Sequence, residues 1–216
     1  MLNQTAIESL FHCKRAGGMR AKLFGAFYED IWRGYLPSLG FKLMPGKPRI
    51  YWTDIKRPAD SSGEGIRRLT DELDKKLRSA RYCTPDGLLE CDGQFLVWEA
   101  KNWIRELFPS PTLAEAMWTF PWLLADEAHY QNRRYPVSGF VISWWKRESG
   151  IHEAIAALQD QLGKSSLRVF FTTDMLEDCV TNDYDWYRDL IAAYRDNVSQ
   201  FFDGLLGEID NSSAEA

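Results

Sequence analysis

Between Thr84 and Trp103 the sequence runs TPDGLLECDGQFLVWEAKNW, two largely apolar segments joined at Asp92-Gly93. An Asp-Gly pair between alternating runs signals a β-hairpin, because a type I′ turn requires positive φ at both central residues. A turn at that point fixes the register: Cys91 opposes Gln94, Glu90 opposes Phe95, Leu88 opposes Val97, and Asp86 opposes Glu99. Alternation along each strand then puts Asp86, Leu88, Glu90, Phe95, Val97, Glu99 and Lys101 on one face, with Leu89, Leu96, Trp98 and Ala100 on the other. Both sets are mainly apolar, as expected of a sheet covered on two sides. Directly opposed side chains have Cβ atoms roughly 4.5 to 5.5 Å apart, a range at which like charges destabilise the pair. A solvated sheet face would tolerate two acids balanced by Lys101. Their setting among Leu88, Phe95 and Val97 points instead to a cleft, where a divalent cation would offset the repulsion. Mg2+ prefers hard oxygen ligands and takes one or two carboxylates plus waters and substrate phosphate. Lys101, on the same side as Glu99, is placed to orient a water or steady developing negative charge.

The rest of the chain supplies the elements such a hairpin needs around it. Phe24, Phe27, Ile31 and Tyr35 recur at three- and four-residue steps and predict an amphipathic helix that ends near Pro37. Residues 44–63 hold three prolines and a Ser-Ser-Gly and read as loop, with RIYWTDI a short strand. A charged helix, EGIRRLTDELDKKLRSA, precedes the hairpin. After it come a helix from about Thr112 to His129 that Pro121 should kink, the buried strand PVSGFVISWW, the helix HEAIAALQDQLG closed by Gly163, and the strand LRVFFTT. A long helix from Tyr184 and a fraying tail complete the pattern. The order predicts an α/β fold with a mixed central sheet flanked by helices. It is expected as one domain over residues 1–206, its core at about 20–145 and a helical extension at 150–206, followed by a flexible tail at 207–216.

At 216 residues the chain suits a single full core. Its longest apolar runs fall short of the roughly 20 residues a membrane helix needs, and MLNQTAIESLF lacks the basic and apolar regions of a signal peptide. A cytoplasmic location is expected. Cys13, Cys83, Cys91 and Cys179 form no CxxC pair and no zinc-like spacing, consistent with reduced thiols. The formal net charge of −5 hides an asymmetry: residues 1–104 carry 17 Lys and Arg against 13 Asp and Glu, and residues 105–216 carry 9 against 18. A locally basic surface can hold phosphate on an acidic chain. The acidic half offers a surface for a protein partner or a second copy of the chain.

PDG and EAK, with twelve residues between Asp86 and Glu99, together resemble the PD-(D/E)xK nuclease superfamily, in the manner of Holliday-junction resolvases, RecB-like nuclease domains and small restriction endonucleases. The resemblance covers about residues 20–145 and implies a restriction-endonuclease-like core. It implies a Mg2+- or Mn2+-dependent DNA endonuclease acting in repair, restriction or mobile-element DNA processing. It casts Asp86 and Glu99 as metal ligands, the Ala100 carbonyl as a further ligand, and Lys101 as the residue that helps activate water. GAFYEDIWRGYLPSLGF resembles the family's preceding helix, which puts Glu29 at the edge of the site. The chain departs from the iron–sulfur members, whose later cysteine cluster is absent, and shows no clear QxxxY after Lys101; Gln131 and Tyr135 have that spacing at a predicted helix end.

Lys14, Arg15, Arg20 and Lys22 precede the Glu29 helix and are candidate phosphate contacts, although a basic helix end is usually just solvated. Trp144 and Trp145 in SWWKRE are read as core rather than as base-stacking residues. His12, His129 and His152 lack metal-like spacing and are read as structural. Two other readings fit the same sequence: a non-cleaving module that grips DNA or protein on this fold, and an assembly role within a larger complex. Intact Asp86, Glu99 and Lys101 favour the nuclease.

Overall fold

Asp92 and Gly93 adopt φ values of 52° and 73°, as a type I′ turn requires. The hairpin they close pairs Gly87 with Trp98, Leu88 with Val97, Leu89 with Leu96, Glu90 with Phe95 and Cys91 with Gln94, the register expected from the sequence. These observations come from a computed structural model that describes residues 19–55, 81–101, 119–163 and 166–196, together with Lys75, Leu113 and Ala116. The charged helix expected before the hairpin lies outside the described residues, apart from Lys75, which is helical.

The chain divides into two compact units, residues 35–175 and residues 1–34 with 176–216. The first contains the sheet. Its strands are β1 (Lys42–Leu43), β2 (Ile50–Tyr51), β3 (Tyr82–Cys83), β4 (Gly87–Cys91), β5 (Gln94–Lys101), β6 (Glu127–Tyr130), β7 (Arg133–Trp144) and β8 (Ser166–Phe171). The main sheet runs β1-β4-β5-β7-β6, with β8 also on β7, while β2 and β3 pair separately. β4 is antiparallel to β5, whereas β7 is parallel to both β5 and β8, so the sheet is mixed. α1 (Ile151–Leu162) connects β7 to β8, a parallel pair that needs such a crossover. Gly163, at φ 68°, ends α1 as expected.

One face of the sheet carries Leu88, Val97, Phe140, Ile142 and Trp144 into a core shared with Phe120, Trp122, Ile151 and Leu158. On the other, Leu89, Leu96, Trp98 and Val141 are fully buried, and the Trp98 indole N–H donates to Ser143 Oγ at 2.9 Å. Burial on both sides accounts for the nearly continuous apolar run of β5. Trp144 and Trp145 are both buried, as core residues should be.

Two expectations fail. The helix expected to reach His129 gives way to a 3-10 turn at Pro121–Leu124 and then to β6. Pro121 sits where a first helical turn accepts proline, and Glu127–Tyr130 alternates half-buried with buried residues, a strand period. Gln131 and Asn132, at φ 46° and 62°, make the tight β6–β7 turn, so Gln131 and Tyr135 lie on a hairpin and not at a helix end. Second, the strand expected to run through Thr173 stops at Phe171, where α2 (Thr172–Asn182) begins. The Thr172 hydroxyl donates to the Trp144 carbonyl at 3.1 Å and is buried there.

The other unit contains the helix Met19–Tyr35, α3, up to Gly34, and a helix over residues 185–196, α4. Phe27, Tyr28, Ile31 and Trp32 are buried at helical spacing. The rings of Phe27 and Tyr194 lie 4.5 Å apart, and the Tyr194 hydroxyl donates to Asp30 at 2.5 Å. No helix among the described residues is long and apolar enough to cross a membrane.

Candidate functional site

Asp86 lies one residue before β4, and Glu99 and Lys101 lie two apart near the end of β5, so a single hairpin delivers all three. The Cα ladder ends at Gly87 and Trp98. Beyond it Asp86 Oδ2 accepts the Ala100 amide N–H at 2.9 Å, which ties the carboxylate to the partner strand. Ala100, whose carbonyl is the expected further ligand, also touches the site through its amide. Gly87 makes the close approach feasible, since a Cβ there would come within 2.8 Å of both Leu43 and Trp98.

Both carboxylates are buried, Asp86 at 7% exposure and Glu99 at 8%. Burial is the main force raising the Glu99 carboxyl to about 7; the Asp86 charge adds to it, and the Lys101 ammonium opposes it. Lys101 Nζ is hydrogen-bonded to Glu99 Oε1. A second ammonium serves Asp86: Lys47 Nζ donates to its Oδ1 at 2.7 Å. Glu99 and Lys101 line a cleft of about 300 Å3 together with Thr84, Pro85, Trp52 and Trp122. This is a partly apolar recess, not a solvated sheet face.

Lys47 was not legible as a site residue. It reaches Asp86 because β1 pairs antiparallel with β4, Lys42 against Glu90 and Leu43 against Leu89. The Met44 amide continues that ladder to the Leu88 carbonyl at 2.9 Å, and Gly46, at φ 99°, turns the chain so that Lys47 meets Asp86. The only sequence signal was a lone cation in the rigid segment Pro45-Gly46-Lys47-Pro48.

The sheet unit brings Asp86, Glu99 and Lys101 together. Glu29 belongs to the other unit, where it pairs with Arg33 at 3.9 Å across one helical turn. Arg20 and Lys22 are on the first turns of α3, and Lys14 and Arg15 lie outside the described residues.

A second polar group lies elsewhere in the sheet unit. Asp54, Glu127 and His129 each bring a ligand atom within 4.8 Å of one another, an arrangement that could hold a metal ion. Glu127 and His129 share a face of β6 by strand alternation. His129 Nε2 lies 2.9 Å from Asp54 Oδ2, and Glu127 pairs with Arg134 at 3.4 Å.

Comparison with protein-family models, with curated proteins and with solved structures gives no match.

Proposed function

We propose that the chain is a divalent-metal-dependent DNA endonuclease, hydrolysing phosphodiester bonds at the end of the β4–β5 hairpin. The observation that carries this reading is a pair of buried carboxylates at the open end of an antiparallel hairpin, with a lysine two residues beyond one of them and a cleft beside it. The donor set fits a hard cation. Asp86 and Glu99 offer carboxylate oxygens, and Glu99 is raised to about 7 by burial and then by the Asp86 charge, a penalty that a divalent cation beside it would offset. Such an ion supplies Lewis acidity and lowers the pKa of a bound water.

The protein's own groups have separable tasks. Asp86 is fixed by the Ala100 amide, so its oxygens are oriented before any ligand arrives. The Lys101 ammonium faces Glu99 and is positioned to hold a water or to steady charge that develops on phosphate oxygens. Trp52 and Trp122 give the cleft apolar walls beside Glu99 and Lys101, and a less polar surrounding strengthens charge interactions there.

The test is a panel of linear, supercoiled, single-stranded and branched DNA incubated with Mg2+ or Mn2+ and with chelator, above pH 8 so that Glu99 is ionised. The parent should cut in metal alone, Asp86→Asn and Glu99→Gln should be inactive, and Lys101→Ala should lose cleavage while still being stabilised by metal. Failure of the parent to cut any of these DNAs in either metal would overturn the assignment and leave a binding role on the same fold.

A further inference from the structure

Beside the hairpin site, a cavity of about 640 Å3 opens between residues 47–54 and the β6–β7 hairpin, lined by Lys47, Arg49, Tyr51, Asp54, His129 and Arg134 among others. Its size suits a ligand of nucleotide dimensions. Its frame is built from sheet: Arg49 and His129 exchange backbone hydrogen bonds of 2.8 Å each, and Tyr51 pairs with Tyr82 on β3. Lys47, Arg49 and Arg134 line it with the carboxylate of Asp54, which His129 engages; Lys47 also pairs with Asp86 and Arg134 with Glu127, both outside the lining.

Aromatic rings accompany the charge. Tyr51 meets Tyr82 edge-on at 5.6 Å and His129 at 4.6 Å. The Arg49 guanidinium lies over the Tyr82 ring, 4.9 Å from its centroid. Tyr82 is 36% exposed, and among the described residues only it and Val180 are exposed large hydrophobic side chains. An arginine stacked on an exposed tyrosine costs apolar exposure and gives the fold little, but it forms a platform for a flat base beside a donor for phosphate.

Lys47 joins this cavity to the hairpin site. It lines the cavity and also donates to Asp86 Oδ1 at 2.7 Å, so a phosphate held at this end lies one ammonium away from a proposed metal ligand. Paired bases within a duplex are stacked on their neighbours and present no free face to a protein ring. We propose that the cavity receives an unpaired nucleotide of the substrate strand, with Lys47 and Arg49 on its phosphate and Tyr51, whose ring is backed by Tyr82, against its base. The preferred substrate is then DNA with single-stranded character beside the scissile bond, such as a flap, gap or branch, rather than continuous duplex. This rests on the nuclease reading for the cut but not for the binding.

Fluorescence anisotropy in chelator measures binding without cleavage, using a labelled oligodeoxynucleotide of about 12 nucleotides, single-stranded or as a blunt duplex. The single strand should bind the parent more tightly than the duplex. Tyr82→Leu and Tyr51→Leu should each weaken that binding by about five- to 150-fold, the range for loss of one stacked base. Arg49→Gln should weaken it as well and reduce the salt dependence by about one phosphate contact. Arg49 and Tyr82 are both exposed, so these two variants should still fold, with at most the small stability loss of one aromatic or cation–π contact. Equal affinity for the two DNAs, or parent-like binding by folded Arg49→Gln and Tyr82→Leu, would overturn the proposal even if the parent cuts DNA. Selective single-strand binding lost in these variants, by a parent that cuts nothing in Mg2+ or Mn2+, would retain the receptor and refute only the nuclease.

Discussion

Glu99→Gln should make the metal-free protein more stable at neutral and alkaline pH, and the size of the gain can be worked out from the site. Glu99 is 8% exposed, and its carboxyl is raised from an ordinary 4.5 to about 7, first by burial and then by the Asp86 charge. In the unfolded chain the same group ionises in water at its ordinary value. Below about pH 4.5 both states carry the proton, and the neutral acid is buried at no ionic cost. As pH rises toward 7 the unfolded chain releases its proton while the folded chain retains it, so stability falls across that window and reaches its full loss above 7. The difference from 4.5 to about 7 corresponds to up to about 3 kcal/mol. Glutamine keeps the volume and can still accept from Lys101 Nζ, but it has no charge to desolvate. Denaturant unfolding of parent and variant in chelator, at steps from pH 4.5 to 8.5, should give curves that meet at the acid end and diverge by on the order of 2 to 3 kcal/mol at the alkaline end. Parallel curves, or a variant less stable than the parent at pH 8, would refute the account of Glu99 as a buried, under-compensated carboxylate.

Asp86→Asn should behave differently, because Asp86 accepts from Lys47 and from the Ala100 amide. Its metal-free stability at pH 8 should change by less than that of Glu99→Gln, since the lost Lys47 pairing offsets the relief of Glu99, and added Mn2+ should raise the melting temperature of the parent but not of this variant. Gly139→Ala should cost on the order of 1 to 3 kcal/mol, as for overpacking, because a Cβ would fall 2.5 Å from the Ser166 carbonyl oxygen and 2.9 Å from Leu96 between three paired strands; an unchanged melting temperature would contradict the β5-β7-β8 packing. Within α3 two glycines should respond with opposite signs: Gly25→Ala, with nothing within 4 Å, should stabilise by up to about 1 kcal/mol, and Gly34→Ala, whose Cβ would lie 2.4 Å from the Trp186 ring, should destabilise. Thermal melts of the pair decide whether α3 and α4 pack as described.

Local chemistry was the legible part of the fold. Asp92-Gly93 specified its own turn and with it every observed pair from Cys91–Gln94 to Gly87–Trp98, because a two-residue turn leaves no freedom of register. Gly163 as a helix stop and the continuous apolar run of β7 were also readable from local sequence. The failures occurred where the decisive partner is distant in sequence. Glu127–Tyr130 has no strong strand composition, and it extends because β7 returns beside it through the left-handed Gln131-Asn132 pair. Neither residue is a glycine, so the turn carried no strong marker. α2 begins with two threonines that read as strand, and its start depends on a hydroxyl reaching the Trp144 carbonyl from 28 residues away.

The same division runs through the site. Asp86, Glu99 and Lys101 were found because one hairpin holds them all, and a hairpin is a local object. Lys47 was missed because its position depends on β1, two residues long, pairing with β4 some 45 residues later. That omission bears on how the opposed carboxylates are tolerated. Read from the sequence, a divalent cation offsets the repulsion, whereas the folded chain itself supplies Lys47 on Asp86 and Lys101 on Glu99. Compensation is nevertheless unequal. Asp86 has an ammonium and a backbone amide, while Glu99, with an ammonium on one oxygen, remains raised to about 7. On the metal-dependent reading, a divalent cation would meet one oriented carboxylate in Asp86, would favour ionisation of Glu99, and would compete with Lys47 for Asp86, turning Lys47 toward the cavity it already lines. Metal binding and phosphate binding would then favour each other through one side chain. Lys47→Ala should uncouple them, leaving oligonucleotide affinity the same with and without Ca2+, an ion that binds carboxylates, whereas the parent should bind more tightly when the ion is present.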